Sequence, residues 1–116
     1  MSDPTITPAQ LLTALAEAKP PLLLDVRRTP TFDAAPSMIP GASWRDPYAV
    51  GAWAGTLPTD RDIVVYCAHG HEIGRGVRDL LHSIVDESGR KVRYLQGGFE
   101  QWQQSGGPIV AKANRK

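Results

Sequence analysis

An α/β domain built on a central, mainly parallel sheet with helices on both faces is the fold class this sequence predicts. Short strand-like runs (Leu22 to Val26, Asp62 to Cys67, Lys91 to Gln96) alternate with segments of helical period, the order of a parallel sheet with right-handed crossovers. The first run, LLLDV, is apolar without alternation until it ends in charge, as suits a strand covered on both faces. At 116 residues the chain fits a single domain, 1–116, with a core over about 5–110 and a basic tail, 111–116, expected to fray.

Each element follows from local chemistry. Thr7 is placed to cap a helix with Pro8 in its first position, and AQLLTALAEAK sets Leu11, Leu12 and Leu15 at helical spacing until Pro20 and Pro21 stop it. Residues 29 to 47 are rich in Pro, Ser, Thr and Gly, with room for a helical turn around Phe32 and a short strand at Ala42 to Trp44. VGAWAGTLPTD reads as loop, with Trp53 packed down onto the core. DIVVYC is β-branched, aromatic and bounded by turn signals, which makes it the clearest strand. EIGRGVRDLLHSIVDESG then turns to helical period, with an apolar stripe of Ile73, Val77, Leu80, Leu81, Ile84 and Val85, and Gly89 as C-cap. KVRYLQ is a strand and GGFEQWQQS a short helix ended by GGP.

This topology gathers the carboxyl ends of the strands on one edge, where open α/β sheets keep their sites. Asp25 with Arg27, then Cys67, then Gly97 and Gly98 meet there. Cys67, the only cysteine, ends a strand and stands a few residues before a helix. The intervening loop, from Ala68 through His69, Gly70, His71 and Glu72 to Ile73, must turn tightly, and Gly70 gives it the backbone freedom. Backbone N–H groups of such a loop and of the helix start form an anion cradle, which favours a thiolate and an anion bound beside it. Gly74 and Gly76, each costly inside a helix, point to close backbone approach. Cys67 reads as a thiolate nucleophile or as a small buried hydrophobe, and its strand–loop–helix position favours the nucleophile.

His69 and His71 alternate with Cys67, but a structural zinc site needs four ligands at wider spacings, so no metal is expected. The imidazoles suit the holding of an anionic substrate. Glu72 either complements the helix dipole or competes with an incoming anion. Asp25 and Arg27 read more readily as a structural ion pair supporting the site than as substrate contacts.

With 12 acidic against 13 basic residues there is no field to gather polyanions, which argues against nucleic acid. No apolar run approaches the roughly 18 residues of a membrane span, and the first ten residues lack a secretory pattern. A lone cysteine suits a reducing compartment, so a cytoplasmic protein, monomeric or weakly dimeric, is expected.

LLLDVR, IPGA (Ile39 to Ala42), VVYC with its glycine-containing loop, and YLQGGFEQWQQSGGPI, in this order, resemble a single-domain rhodanese from about Leu22 to Ile109. The resemblance implies a three-layer rhodanese-like sandwich and a sulfurtransferase without metal or organic cofactor. Cys67 would take sulfane sulfur from a small anionic donor such as thiosulfate, hold it as a persulfide within the backbone cradle of Ala68 to Ile73, and pass it to cyanide or a thiol. Many family members carry a basic residue where Glu72 stands, which favours thiosulfate, so the resemblance implies that Glu72 turns this loop away from thiosulfate as its best donor. Two other readings are a non-catalytic binding or regulatory module and a cysteine-based phosphatase or arsenate reductase. The latter wants an arginine closing the loop, where this chain has Ile73, with Arg75 out of register.

Overall fold

A computed structural model of the chain describes residues 4–58, 60–69, 72–85 and 90–112. Its strands are β1 (Thr5–Ile6), β2 (Leu22–Asp25), β3 (Ser37–Met38), β4 (Ser43–Trp44), β5 (Ile63–Tyr66), β6 (Val92–Leu95) and β7 (Val110–Ala111). The helices are α1 (Pro8–Leu15), α2 (Thr29–Ala34), α3 (Val50–Trp53), α4 (Glu72–Val85) and α5 (Gly98–Gln104). Five strands form one sheet in the order β1-β6-β5-β2-β4, every neighbouring pair parallel, while β3 and β7 make a separate antiparallel pair.

Two buried clusters lie on opposite faces of this sheet. Along β5, Ile63 and Val65 point into one and Val64 and Tyr66 into the other, as the two-residue period of a strand requires. The first cluster packs against Val50 and Trp53 of α3 and Val77, Leu81 and Val85 of α4. The second packs against Leu11 of α1 and Phe99 and Trp102 of α5, Trp102 being wholly buried. The result is the expected three-layer α/β architecture. Burial on both faces explains why β2 and β5 carry continuous apolar runs.

The capping chemistry at Thr7 forms in full. Thr7 Oγ1 accepts from the Gln10 N–H at 3.1 Å, and Gln10 Oε1 accepts from the Thr7 N–H at 3.0 Å, with Pro8 at the first position. That helix ends at Leu15, short of the two prolines. At the other end of the chain, Gly97 holds φ at 75° to start α5, and a Cβ there would sit 2.3 Å from that of Gln101, so the position demands glycine.

Several expectations need correction. The segment from Val50 is not loop: α3 and a 3-10 turn at Ala54–Thr56 cover the sheet, because Val50, Trp53 and Ala54 recur at helical spacing and bury together. Leu80 and Ile84, assigned to the buried stripe of α4, are 49% and 47% exposed; the stripe that packs is Val77, Leu81 and Val85. Strands β1, β3 and β7 are two residues each and lacked a readable period. Through β7, Ala111 pairs with Ser37, and the Lys112 N–H donates to the Pro36 carbonyl, so pairing extends into the segment expected to fray. The C-cap assigned to Gly89 and the tail from 113 onward lie outside the described residues.

Candidate active site

The strand order fixes where a site can form. From β2 the chain moves toward β4 on one side, and from β5 it moves toward β6 on the other, so a crevice opens between the carboxyl ends of β2 and β5. Cys67 follows β5 directly, and Val26 and Arg27 follow β2 beside it; the Val26 N–H donates to the Tyr66 carbonyl at 2.8 Å. A cavity of about 610 Å³ occupies the crevice, with Arg27, Arg28, Cys67, Ala68, His69 and Ile73 among the residues lining it. Cys67 is only 6% exposed, at the floor.

Two helix starts hold the cysteine. Gly74, in the first turn of α4, packs so closely that a Cβ there would lie 3.3 Å from Cys67 Sγ. Gly76 has nothing within 4 Å of such a Cβ, so close approach explains only the first of the two glycines. From the opposite face, α5 contributes N–H groups left open by its helix start. The Phe99 N–H donates to the Cys67 carbonyl at 2.8 Å and the Glu100 N–H to the Ala68 carbonyl at 3.0 Å. The GGFE sequence therefore fixes the backbone that carries the sulfur, a role the sequence reading did not assign to it.

Asp25 and Arg27 form a buried ion pair, 0% and 2% exposed. Arg27 Nη2 donates to Asp25 Oδ2 at 2.6 Å and Nε to Oδ2 at 3.0 Å, while the Arg27 backbone N–H reaches Oδ1 at 3.0 Å. Nη2 also donates to the Ser37 carbonyl at 2.9 Å. The Tyr66 hydroxyl donates to Asp25 Oδ2 at 3.1 Å and accepts from the Ile39 N–H at 3.2 Å. The guanidinium lies over the Phe99 ring, 4.6 Å from its centre. This network ties β2, β3, β5 and α5 together directly beneath the cavity. Burial, reinforced by the Asp25 carboxylate, pushes the Tyr66 hydroxyl well above the ordinary tyrosine range.

His69 is exposed at the rim, with Nδ1 3.2 Å from Glu100 Oε1. Gly70, His71 and the side chain of Glu72 lie outside the described residues, and with them the middle of the expected cradle. Among the described residues no cluster of three or more His, Cys, Asp or Glu side chains could hold a metal, and no helix is long and apolar enough to cross a membrane. Arg28, Thr31 and Tyr48 also line the cavity. Sequence reasoning missed all three. Arg28 was visible as the second arginine at a strand end, whereas Thr31 and Tyr48 lie in segments with no period to read.

The family model described as Rhodanese-like domain matches residues 7–105. A curated protein named Sulfurtransferase, from Allochromatium vinosum, is 35% identical over 97 residues, which span 84% of this chain and 85% of that one. Among solved structures, a rhodanese-related protein from Thermoplasma volcanium superposes with a TM-score of 0.72 at 21% identity, over 95% of this chain and all of that one. A thiosulfate sulfurtransferase from Pseudomonas aeruginosa gives a TM-score of 0.77 at 24% identity, over 95% of this chain but only 20% of the longer relative. These two likenesses agree with the three-layer fold, and the family match extends over the strands and helices that build the crevice. The chain belongs to the rhodanese-like domain family.

Proposed function

We propose that this domain is a sulfurtransferase that carries sulfane sulfur as a persulfide on Cys67. The observation that carries the reading is the placement of Cys67: it lines an open cavity that Arg27 and Arg28 also line, and its sulfur lies against Gly74 in the first turn of α4. A nucleophile at a helix start is stabilised as an anion, and so is an anion bound beside it. The name of the Allochromatium relative supports the same chemistry.

In the first half-reaction the Cys67 thiolate attacks the outer sulfur of a donor such as thiosulfate. A sulfur–sulfur bond forms to Cys67, the sulfur–sulfur bond of the donor breaks, and sulfite leaves with the electron pair. In the second, cyanide or a thiolate attacks the outer sulfur of the persulfide and Cys67 departs as thiolate. The ion pair of Asp25 with Arg27 acts as a positioning element, since both groups are committed to each other and to backbone.

Incubation with thiosulfate and other sulfane donors, read by intact mass, tests this. The expected result is a gain of one sulfur atom that cyanide removes and that Cys67→Ser abolishes without unfolding the domain. A chain that gains sulfur from no donor would overturn it, and a partner complex that survives Cys67→Ala would favour a binding module instead.

A further inference from the structure

The cavity above Cys67 is shaped and charged for more than an inorganic anion. Its volume of about 610 Å³ lies within the range of sites for whole organic ligands, roughly 300–1,000 Å³, and a small anion at the sulfur would fill only its floor. Its two arginines are not equivalent. Arg27 is spent on Asp25, Ser37 and the aromatic rings around it. Arg28 is exposed on the cavity wall, and its side chain makes no hydrogen bond or ion pair among the described residues. No carboxylate among the described side chains lines the space to neutralise it. Tyr48, 71% exposed, also lines the cavity, in a turn where the Asp46 carboxylate accepts from the Tyr48 N–H at 2.9 Å. An uncommitted guanidinium and an aromatic face, both bordering the cavity over a nucleophilic sulfur, match the parts of a carboxylate-bearing organic molecule with sulfur at its other end.

Resting on the sulfur-transfer reading of Cys67, we propose that the donor is an organic persulfide carrying a carboxylate. Arg28 grips the carboxylate through charge-assisted hydrogen bonds and Tyr48 covers the carbon skeleton, so Arg28 determines donor specificity. The Cys67 thiolate attacks the outer sulfur of R–S–SH. The donor's sulfur–sulfur bond breaks, R–S⁻ leaves with the electron pair, and the outer sulfur remains on Cys67 with its proton.

The test compares glutathione persulfide, the carboxylate-free persulfide of mercaptoethanol, and thiosulfate on the wild type and on Arg28→Gln, reading sulfur loading of Cys67 by mass at a series of donor concentrations. The wild type is expected to saturate with glutathione persulfide at the lowest concentration. Arg28→Gln should raise that concentration about five- to tenfold, several times more than it does for the mercaptoethanol persulfide, and Arg28→Lys should restore part of the difference. Titration calorimetry with S-methylglutathione, which cannot react, reads binding alone and should show the same loss in Arg28→Gln. Saturation by thiosulfate at lower concentration, an equal effect of Arg28→Gln on both persulfides, or no binding of S-methylglutathione overturns the proposal. If Cys67 loads from no donor while S-methylglutathione binds through Arg28, sulfur transfer is refuted and the carboxylate site stands.

Discussion

Neutralising one partner of the buried Asp25–Arg27 pair should be more damaging than neutralising both. Asp25→Asn keeps shape and volume but leaves a guanidinium that is 2% exposed facing an amide, with one of its acceptors replaced by a donor. Arg27→Met leaves a fully buried carboxylate held by the backbone N–H at position 27 and the Tyr66 hydroxyl, and strips the Ser37 carbonyl of its donor. An uncompensated buried charge of this kind costs about 3–5 kcal/mol, against a total stability of about 5–15 kcal/mol for a domain. For a chain of this length about 4 °C of Tm accompanies each kcal/mol, so each single variant should melt roughly 12–20 °C lower. The double variant removes both charges and should cost no more than either single, a coupling of about 3 kcal/mol. Urea denaturation followed by tryptophan fluorescence measures the cycle, with Trp44 a nearby reporter because its Nε1 donates to the Arg27 carbonyl at 2.8 Å. Single effects below about 1 kcal/mol, or a double variant equal to the sum of the singles within about 0.5 kcal/mol, would refute the reasoning.

The Tyr66 hydroxyl gives a pH signature. Because its folded value is raised, the unfolded chain loses this proton first, so stability falls as pH climbs past about 10, the ordinary tyrosine value. Tyr66→Phe should cost about 1–2 kcal/mol near neutrality by orphaning the Ile39 N–H, and its gap to the wild type should shrink by about 1.4 kcal/mol at pH 11. A gap that stays constant in urea titrations from pH 9 to pH 11 would contradict this. Gly74→Ala should change stability by no more than about 1 kcal/mol, since helix propensity offsets a methyl 3.3 Å from the sulfur, yet slow sulfur loading about tenfold by displacing Cys67. Gly76→Ala, where that space is open, should stabilise by about 0.5–1 kcal/mol with loading unaltered, and equal loading rates in both variants would sink the argument.

Strands β2, β5 and β6 were legible because each is a run of apolar or β-branched residues between turn signals, and α1 because Thr7 and Pro8 mark its start. Cys67 was legible through its position between a clear strand and a clear helix. What could not be read depends on long-range pairing. Thr5–Ile6 becomes a strand only because β6 is beside it, and Ser37–Met38 only because Val110–Ala111 returns to it. The apolar stripe of α4 was drawn too wide because Leu80 and Ile84 have the right residue type, and only the tilt of the helix on the sheet decides which flank is covered. Arg28 and Tyr48 come from separate segments, and their shared place around the cavity that Cys67 also lines leaves no trace in local sequence.

The sheet order also sets a timetable for synthesis. β1 is made well before its partner β6, and the carbonyls of Cys67 and Ala68 wait for Phe99 and Glu100 to be made. A nascent chain therefore bears the Cys67 thiol before it has a pocket to hold it. Chains that stall or are cut before α5 present that thiol without the two backbone hydrogen bonds from Phe99 and Glu100 and without the burial of the folded domain, and a more exposed thiol is more open to sulfenic acid formation.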